Sequence, residues 1–237
     1  MKRIAIVMIA LAALASSACQ KTSQTGRLSF ALQEGEVADV QTKGNVSDYA
    51  AIPSEGDFTL TLKKGTSTIW TGLVSSWDTA KEIEAGSYTA EVSYGSPEDE
   101  GYSKPCFSGR TDFSVAGGQQ SNVNIPVSLG NTIVRLSCTD AFKSYYSSYS
   151  FTITTGAGNV FENVSGAIFM DAYKFTVSGT FTAQNGQTST MSPKSWNVDA
   201  ATCYNVVFDA VNVGDVTVAV SFDDTVQTVE FEQDLNE

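Results

Sequence analysis

Hydrophobic and polar residues alternate along most of the chain after residue 27. A period of two places successive side chains on opposite faces of a β-strand, whereas an amphipathic helix repeats every three or four residues. The pattern predicts strands at residues 28–32, 58–62, 68–70, 88–94, 109–115, 123–129, 132–136, 149–154, 173–182, 203–210, 216–222 and 228–231. A short helical or turn insertion is expected at 139–147, and no sustained helical periodicity accompanies it.

The predicted strands form two groups with almost no linker between them. Serine and threonine dominate the outward positions, which suits antiparallel sheets that have one face in water and one in a core. Groups of about 100 residues are typical of a β-sandwich. The sequence therefore predicts an all-β protein with two tandem antiparallel β-sandwiches, Ig-like in architecture, at residues 27–130 and 131–237.

The first residues have the composition of a lipoprotein signal peptide. Two basic residues and an apolar run at 4–15 precede a Ser-Ser-Ala sequence and Cys19. The apolar run is shorter than the ~20 residues needed to cross a bilayer. We expect residues 1–18 to be removed, Cys19 to be lipidated, and residues 19–26 to form a polar tether. Signal cleavage without lipidation is the alternative.

A lipid anchor on Cys19 makes the membrane an expected partner. Several acyl chains give stable anchoring where one is marginal. We expect an outer-membrane location, and the sequence leaves open whether the chain faces the periplasm or the cell surface.

Charge and the missing histidine exclude several function classes. The chain has 26 acidic and 14 basic residues and a net charge of -12, which disfavours nucleic acid as a partner. It contains no histidine, which rules out Ser-His-Asp and Cys-His nucleophiles and His-ligated zinc. No carboxylate pair stands out as an acid and base. We therefore expect a protein that is not an enzyme and that has neither a cofactor nor a metal.

Three cysteines remain beside Cys19, at positions 106, 138 and 203. An odd number in an exported chain leaves at least one free or paired elsewhere, and which of them pair stays open. Cys138 continues a strand alternation and is expected to be a core residue. The acidic loop 97–100 is interpreted as a solvated turn because it lacks the spaced carboxylates of a calcium loop.

Aromatic residues are the candidates for a binding surface. Tyr145 and Tyr146 belong to the densest aromatic cluster, and Trp77 and Trp196 lie in loop-like surroundings. Exposed aromatic rings stack on sugars or anchor protein partners, since they offer a large contact area at low entropic cost. The alternative is packing in the core, which the alternation from position 149 to 153 favours for part of the cluster.

Several segments together resemble the tandem β-sandwich lipoproteins of Bacteroidales. They are the cysteine at 19, the Gly-Arg-Leu-Ser-Phe sequence at 26–30, residues 83–90, residues 102–109 and the hairpin from 113 to 127. That group includes the fimbrillin-like pilus proteins and families of unknown function, and the segment order is most similar to a domain-of-unknown-function family. The resemblance covers most of the mature chain.

The resemblance implies a lineage of folds and two functional hypotheses. The first is a non-enzymatic cell-envelope lipoprotein in adhesion or fimbria-like assembly, with protein subunits or a host ligand as partners. In fimbrillins, assembly resembles the addition of a strand from one subunit to a groove of the next. The second hypothesis is a glycan-binding lipoprotein that serves an outer-membrane sugar importer.

Overall fold

A computed structural model describes residues 24–34, 45–212, 215–222 and 229–231. The predicted signal peptide at 1–18 and the predicted lipidation site Cys19 lie outside these described residues. The strands of the first half are β1 (Thr25–Glu34), β2 (Thr59–Lys64), β3 (Ser67–Leu73), β4 (Glu82–Glu84), β5 (Gly86–Tyr94), β6 (Gly101–Tyr102), β7 (Phe107–Val115) and β8 (Gln120–Leu129). Three short 3-10 helices lie at Val46–Asp48, Glu55–Asp57 and Val74–Ser76.

The second half contains one short α-helix and nine further strands in the described residues. They are β9 (Thr132–Cys138), α1 (Asp140–Tyr145), β10 (Tyr146–Thr155), β11 (Val160–Glu162), β12 (Ile168–Met170), β13 (Lys174–Ala183), β14 (Thr188–Asn197), β15 (Cys203–Asn212), β16 (Asp215–Phe222) and β17 (Val229–Phe231). No helix within the described ranges is long and apolar enough to cross a membrane. The helical insertion expected after β9 is α1.

The first sandwich is one sheet folded at a corner. Its strand order is β3-β2-β5-β7-β8-β1-β4. β7 and β8 pair with each other only through residues 107–109 and 127–129. Beyond these residues, β7 pairs with β5 alone, and β8 pairs with β1, to which it is parallel. The two layers enclose a core that combines β2 and β5 residues with β1 and β8 residues, among them Leu60, Leu62, Ala90, Leu28 and Ile125. These are the alternating apolar positions of the sequence.

The second sandwich has two separate sheets. One has the order β11-β10-β13-β14, and the other has the order β17-β16-β15-β9-β12-β6. Fully buried side chains from both sheets fill the space between them, including Phe175, Val177, Phe181, Val206 and Phe208. The all-β class and the tandem sandwiches are therefore confirmed.

The two sandwiches share one topology. The orders β3-β2-β5-β7 and β8-β1-β4 correspond strand for strand to β11-β10-β13-β14 and β15-β9-β12. Each contains one parallel pair, β1 with β8 and β9 with β15, so the sheets are not purely antiparallel. The sequences of the two halves nevertheless show no residue-by-residue repeat. A shared topology fixes only which positions face the core, and different apolar residues can occupy those positions. The second sandwich adds β16 and β17 beside β15.

The contact region between the sandwiches, here called the seam, is a packed interface. Gly130 and Asn131 connect β8 to β9. A small core links the halves through Ala50, Leu129, Ile133, Phe169 and Cys203. The sheet of the second sandwich also takes in β6, which pairs with β12 although it lies before residue 130. The expected domain bounds, 27–130 and 131–237, stay a prediction, and β6 crosses them in space.

Candidate functional site

Trp77 is a core residue of the first sandwich. Its side chain is 8% exposed. The indole N–H donates a hydrogen bond to the Leu28 carbonyl at 3.0 Å, and the ring meets Phe30 and Trp70 edge to face. The expectation that Trp77 forms an exposed platform is therefore wrong. A 3-10 helix at Val74–Ser76 turns the chain back onto β1, and a loop-like sequence does not reveal this turn.

Trp196 is half-buried on β14, an edge strand of its sheet. Its ring stacks on Phe175 with centroids 5.1 Å apart and an interplanar angle of 29°. One face of the indole is therefore taken by the core. Trp196 is separated in the fold from Trp77, since the two lie in different sandwiches and do not form one platform.

The aromatic cluster around α1 divides into core and surface members. Tyr146 is buried, so the expectation that it joins a binding surface is wrong. Tyr145 is half-buried and meets Tyr146 edge to face at 4.8 Å. Tyr149 is 40% exposed. Tyr145 and Tyr149 therefore form the accessible part of this cluster.

Helix α1 holds these tyrosines in place. Thr139 caps the helix by accepting a hydrogen bond from the Phe142 N–H. Phe142 is fully buried, and its ring contacts Tyr146, Tyr149, Phe151, Phe181 and Phe208. The Gln184 N–H donates to the Tyr145 carbonyl at 3.1 Å. The helix is thus fixed to the β13–β14 turn as well as to the core.

Strand directions place α1 at the end of the molecule opposite to the start of β1. β8 runs parallel to β1 and reaches the seam at Leu129. β9 leaves the seam at Thr132 and ends at Cys138, where α1 follows. We call this end, formed by α1, the start of β10 and the β13–β14 turn, the far end.

The first sandwich has an open strand edge. Residues 110–115 of β7 pair with β5 on one side, and residues 120–126 of β8 pair with β1 on one side. Among the described residues, no strand pairs with either segment on the side that faces the other segment. The counterpart of β8 in the second sandwich, β15, pairs with β16 along most of its length. Pro126 has no N–H and is typical of an edge strand, which is the sequence signal for this opening.

A cleft of about 410 Å³ lies beside the end of β1. Its apolar lining includes Leu32, Ile52, Phe58 and Phe107, and this volume is in the range of about 300–1,000 Å³ seen for small-molecule sites. Glu55 is the one titratable side chain among the described residues that line it. The cleft therefore offers apolar contact but no acid and base pair.

The loop at 97–100 is only partly the solvated turn that its composition indicates. Pro97, Glu98 and Asp99 are exposed, whereas Glu100 reaches across the seam. Its carboxylate accepts hydrogen bonds from the Thr155 hydroxyl at 2.5 Å, the Asn159 amide at 2.7 Å and the Asp171 N–H at 3.0 Å. Within the described residues, no group of three or more acidic, cysteine or histidine side chains is placed to hold a metal ion.

No disulfide joins the three cysteines of the described region to one another. Cys106 and Cys203 are buried, and Cys138 is partly buried against the core of the second sandwich, as expected. Burial raises the pKa of Cys106 and of Cys138 above its ordinary value. Because only the thiolate is nucleophilic, both side chains are less reactive at neutral pH than an exposed cysteine.

The fold and these surfaces define the chain as a tandem β-sandwich protein with exposed tyrosines and an open strand edge. It belongs to the family described as Domain of unknown function (DUF4493), which matches residues 24–237. This confirms the expected membership of a domain-of-unknown-function family. The comparison with curated proteins gave no significant match.

Several solved structures have a similar course of the chain. One is a proposed cell adhesion protein from Bacteroides thetaiotaomicron, with 12% identity, a TM-score of 0.46, and coverage of 79% of this chain and 97% of that one. Another is described as proposed polysaccharide binding proteins from the same organism, with 11% identity, a TM-score of 0.44, and coverage of 90% and 99%. A proposed adhesin from Bacteroides ovatus has 9% identity, a TM-score of 0.38, and coverage of 90% and 95%. Likenesses this distant do not indicate what the chain binds.

Proposed function

We propose that the protein is a non-enzymatic, lipid-anchored cell-envelope component that acts in adhesion or fimbria-like assembly. The open edge of β8 carries this proposal. Unpaired backbone N–H and C=O groups along a strand edge are a template for a strand from another chain. The equivalent edge of β15 is covered by β16, so this topology accepts a further strand at that position.

The side chains of β8 suit such a contact. Val123 and Ile125 point into the core, while Gln120 and Asn124 are exposed on the outer face. A partner strand added here would extend the β8 layer and place its own apolar residues over the gap between β7 and β8. In the proposed arrangement, lipid on Cys19 holds the start of β1 near the outer membrane, and the far end points away.

Site-directed photo-cross-linking in Bacteroidales cells tests the strand-edge contact. A benzoylphenylalanine at Gln120 or Asn124 is expected to give a covalent adduct with one defined protein, either a second copy of the chain or another envelope protein. Ser93 is the control, because it is exposed on β5 but flanked by β2 and β7. Adducts that are absent at both edge positions, or equally strong at Ser93, would contradict the proposal.

The anchor is tested separately by feeding cells an alkynyl fatty acid. The wild-type chain is expected to be labelled, and Cys19→Ala is expected to remove the label. Protease treatment of intact cells then tells which side of the outer membrane carries the protein. A processed chain without the label would remove the anchor from the proposal and leave the cross-linking result to stand alone.

A second candidate function is a glycan-binding lipoprotein that serves an outer-membrane sugar importer. It is favoured by two tyrosines at the seam, Tyr102 and Tyr173, whose side chains are exposed. Binding of the mature chain to an array of oligosaccharides tests it. An array without any binding would end this candidate.

A further inference from the structure

The seam carries two exposed aromatic side chains that the sequence does not single out. Tyr102, at the end of β6, is 45% exposed, and Tyr173, in the turn between β12 and β13, is 39% exposed. Val160 at the start of β11 is also exposed. Large exposed apolar side chains that cluster mark a site of contact with a ligand or partner.

Each tyrosine rests against a glycine. A Cβ at Gly156 would overlap the ring of Tyr173, so this ring lies directly on the backbone of the β10–β11 turn. A Cβ at Gly166 would lie 3.5 Å from two ring atoms of Tyr102, whose ring also meets Phe161 edge to face at 6.3 Å. Backbone support fixes both rings before a ligand arrives, which lowers the entropic cost of binding.

The β10–β11 hairpin contacts both tyrosine rings, through Gly156 and Phe161, and also carries polar groups. The β10–β11 turn contains Gly156 beneath Tyr173 and Asn159, whose amide bonds to Glu100. The carboxylates of Glu100 and Asp171 also lie near the Tyr173 phenol: its pKa is raised first by desolvation and then by these two negative charges. Tyr173, the two carboxylates and the Asn159 amide are therefore neighbours, and Tyr102 is linked to them through Phe161, which follows Asn159 by two residues on the same hairpin.

This set of groups matches the chemistry of an uncharged sugar. The C–H face of a pyranose packs on an aromatic ring, and its hydroxyls donate hydrogen bonds to carboxylates. Asp171 uses one carboxylate oxygen for the Ala172 N–H, and its other oxygen has no hydrogen bond to a described residue. An anionic sugar would meet two carboxylates on a chain of net charge -12, which is unfavourable.

We propose that the seam binds a neutral saccharide, with Tyr102 and Tyr173 packing on sugar rings and Asp171 and Asn159 bonding to hydroxyls. The proposal rests on the second candidate function and gives it a location. Tyr102 comes from the first half of the chain and Tyr173 from the second. A ligand that contacts both therefore bridges the two sandwiches.

Binding measurements on the whole mature chain test the location. The probes are hexasaccharides of glucose, mannose, galactose and xylose, with an oligogalacturonate as the anionic comparison. Tyr102→Ala and Tyr173→Ala are each expected to weaken binding of a neutral hexasaccharide at least tenfold, and the double variant to abolish it. Tyr145→Ala and Tyr149→Ala, at the far end, are matched controls and are expected to leave affinity unchanged.

Leucine variants at both seam positions guard against misfolding. They keep apolar volume but remove the ring, so they should fold like the wild type and still lose affinity, whereas phenylalanine variants should keep most of it. Neutral sugar binding that is insensitive to the seam variants, or binding of the oligogalacturonate alone, would overturn the location. Absence of binding to every probe would end the second candidate function as well, and cross-linking at β8 is unaffected by either result.

Discussion

The carboxylate of Glu100 accepts a hydrogen bond from the backbone N–H of Asp171 at 3.0 Å, although the two residues belong to different halves of the chain. Two further bonds, from Thr155 and Asn159, reach the same carboxylate. Together with the pairing of β6 and β12, they make the seam a structured interface instead of a flexible hinge. The relative position of the two sandwiches is therefore set by side-chain chemistry as well as by the short connection.

Replacing Glu100 by alanine should weaken the seam. The Thr155 side chain is buried and would lose the acceptor of its hydroxyl. Hydrogen bonds to charged groups contribute about 1.5–3 kcal/mol each, and partial exposure of this carboxylate reduces that figure. We expect the free energy of unfolding in urea to fall by about 1–3 kcal/mol.

Glu98 provides the matched control for this prediction, because it is exposed in the same loop. Glu98→Ala is expected to change the free energy of unfolding by less than about 0.5 kcal/mol, as for most surface positions. Equal effects of the two variants would show that Glu100 does not act through its contacts across the seam.

Much of the fold could be predicted from the sequence because burial follows the alternation directly. Leu60 and Leu62 on β2 are both fully buried, whereas Thr59 is exposed and Thr61 is partly exposed. The direction of the strands could not be predicted in this way. The same alternation fits β1 beside β8 in either orientation, and only the structure shows that they run parallel.

The candidate site was harder to predict, since it depends on contacts between distant segments. Trp77 and Tyr173 both lie in short irregular segments, yet the first is buried by a 3-10 turn and the second is left on the surface. Glu100 follows Glu98 and Asp99, so its local sequence is that of an acidic, solvated turn. Its partners lie more than 50 residues away in the chain, where no local pattern reveals them.

Trp77→Phe should destabilise the first sandwich without affecting ligand binding. The change removes the indole N–H that donates to the Leu28 carbonyl and leaves space beside Trp70. An unsatisfied buried group costs about 1–3 kcal/mol, and we expect a loss of that size in urea unfolding. Trp196→Phe is the control; its ring keeps the stack on Phe175, and the loss should be smaller.

A Trp77→Phe variant that kept its stability but lost saccharide binding would contradict the core position of this residue. The same measurement on Trp196→Phe separates a general effect of losing an indole from an effect of this one position.

Phe142→Ala should be among the most damaging changes in the second sandwich. The side chain is fully buried at the centre of five other rings, so its removal leaves a large cavity. Phenylalanine-to-alanine changes in cores cost about 3–5 kcal/mol, and we expect a loss in this range by urea unfolding. Tyr149→Ala, at an exposed member of the same cluster, should cost clearly less. Similar losses for the two variants would contradict the division of the cluster into core and surface.

Stability should decrease at alkaline pH. Burial is the largest cause that raises the pKa of Cys106 and Cys138 above the ordinary thiol value of 9.0, and of Tyr146 and Tyr204 above the ordinary phenol value of 10.0. The unfolded chain therefore releases these protons at lower pH than the folded chain. The stabilisation from these groups is complete below pH 9.0 and is lost as the pH rises through the raised pKa values of the folded state.

Urea unfolding under reducing conditions at pH 8, 9.5 and 10.5 measures this decline, and Cys106→Ala should make it shallower in the lower part of that range. A free energy of unfolding that stays constant or rises over the range would show that these side chains are not buried in their neutral forms.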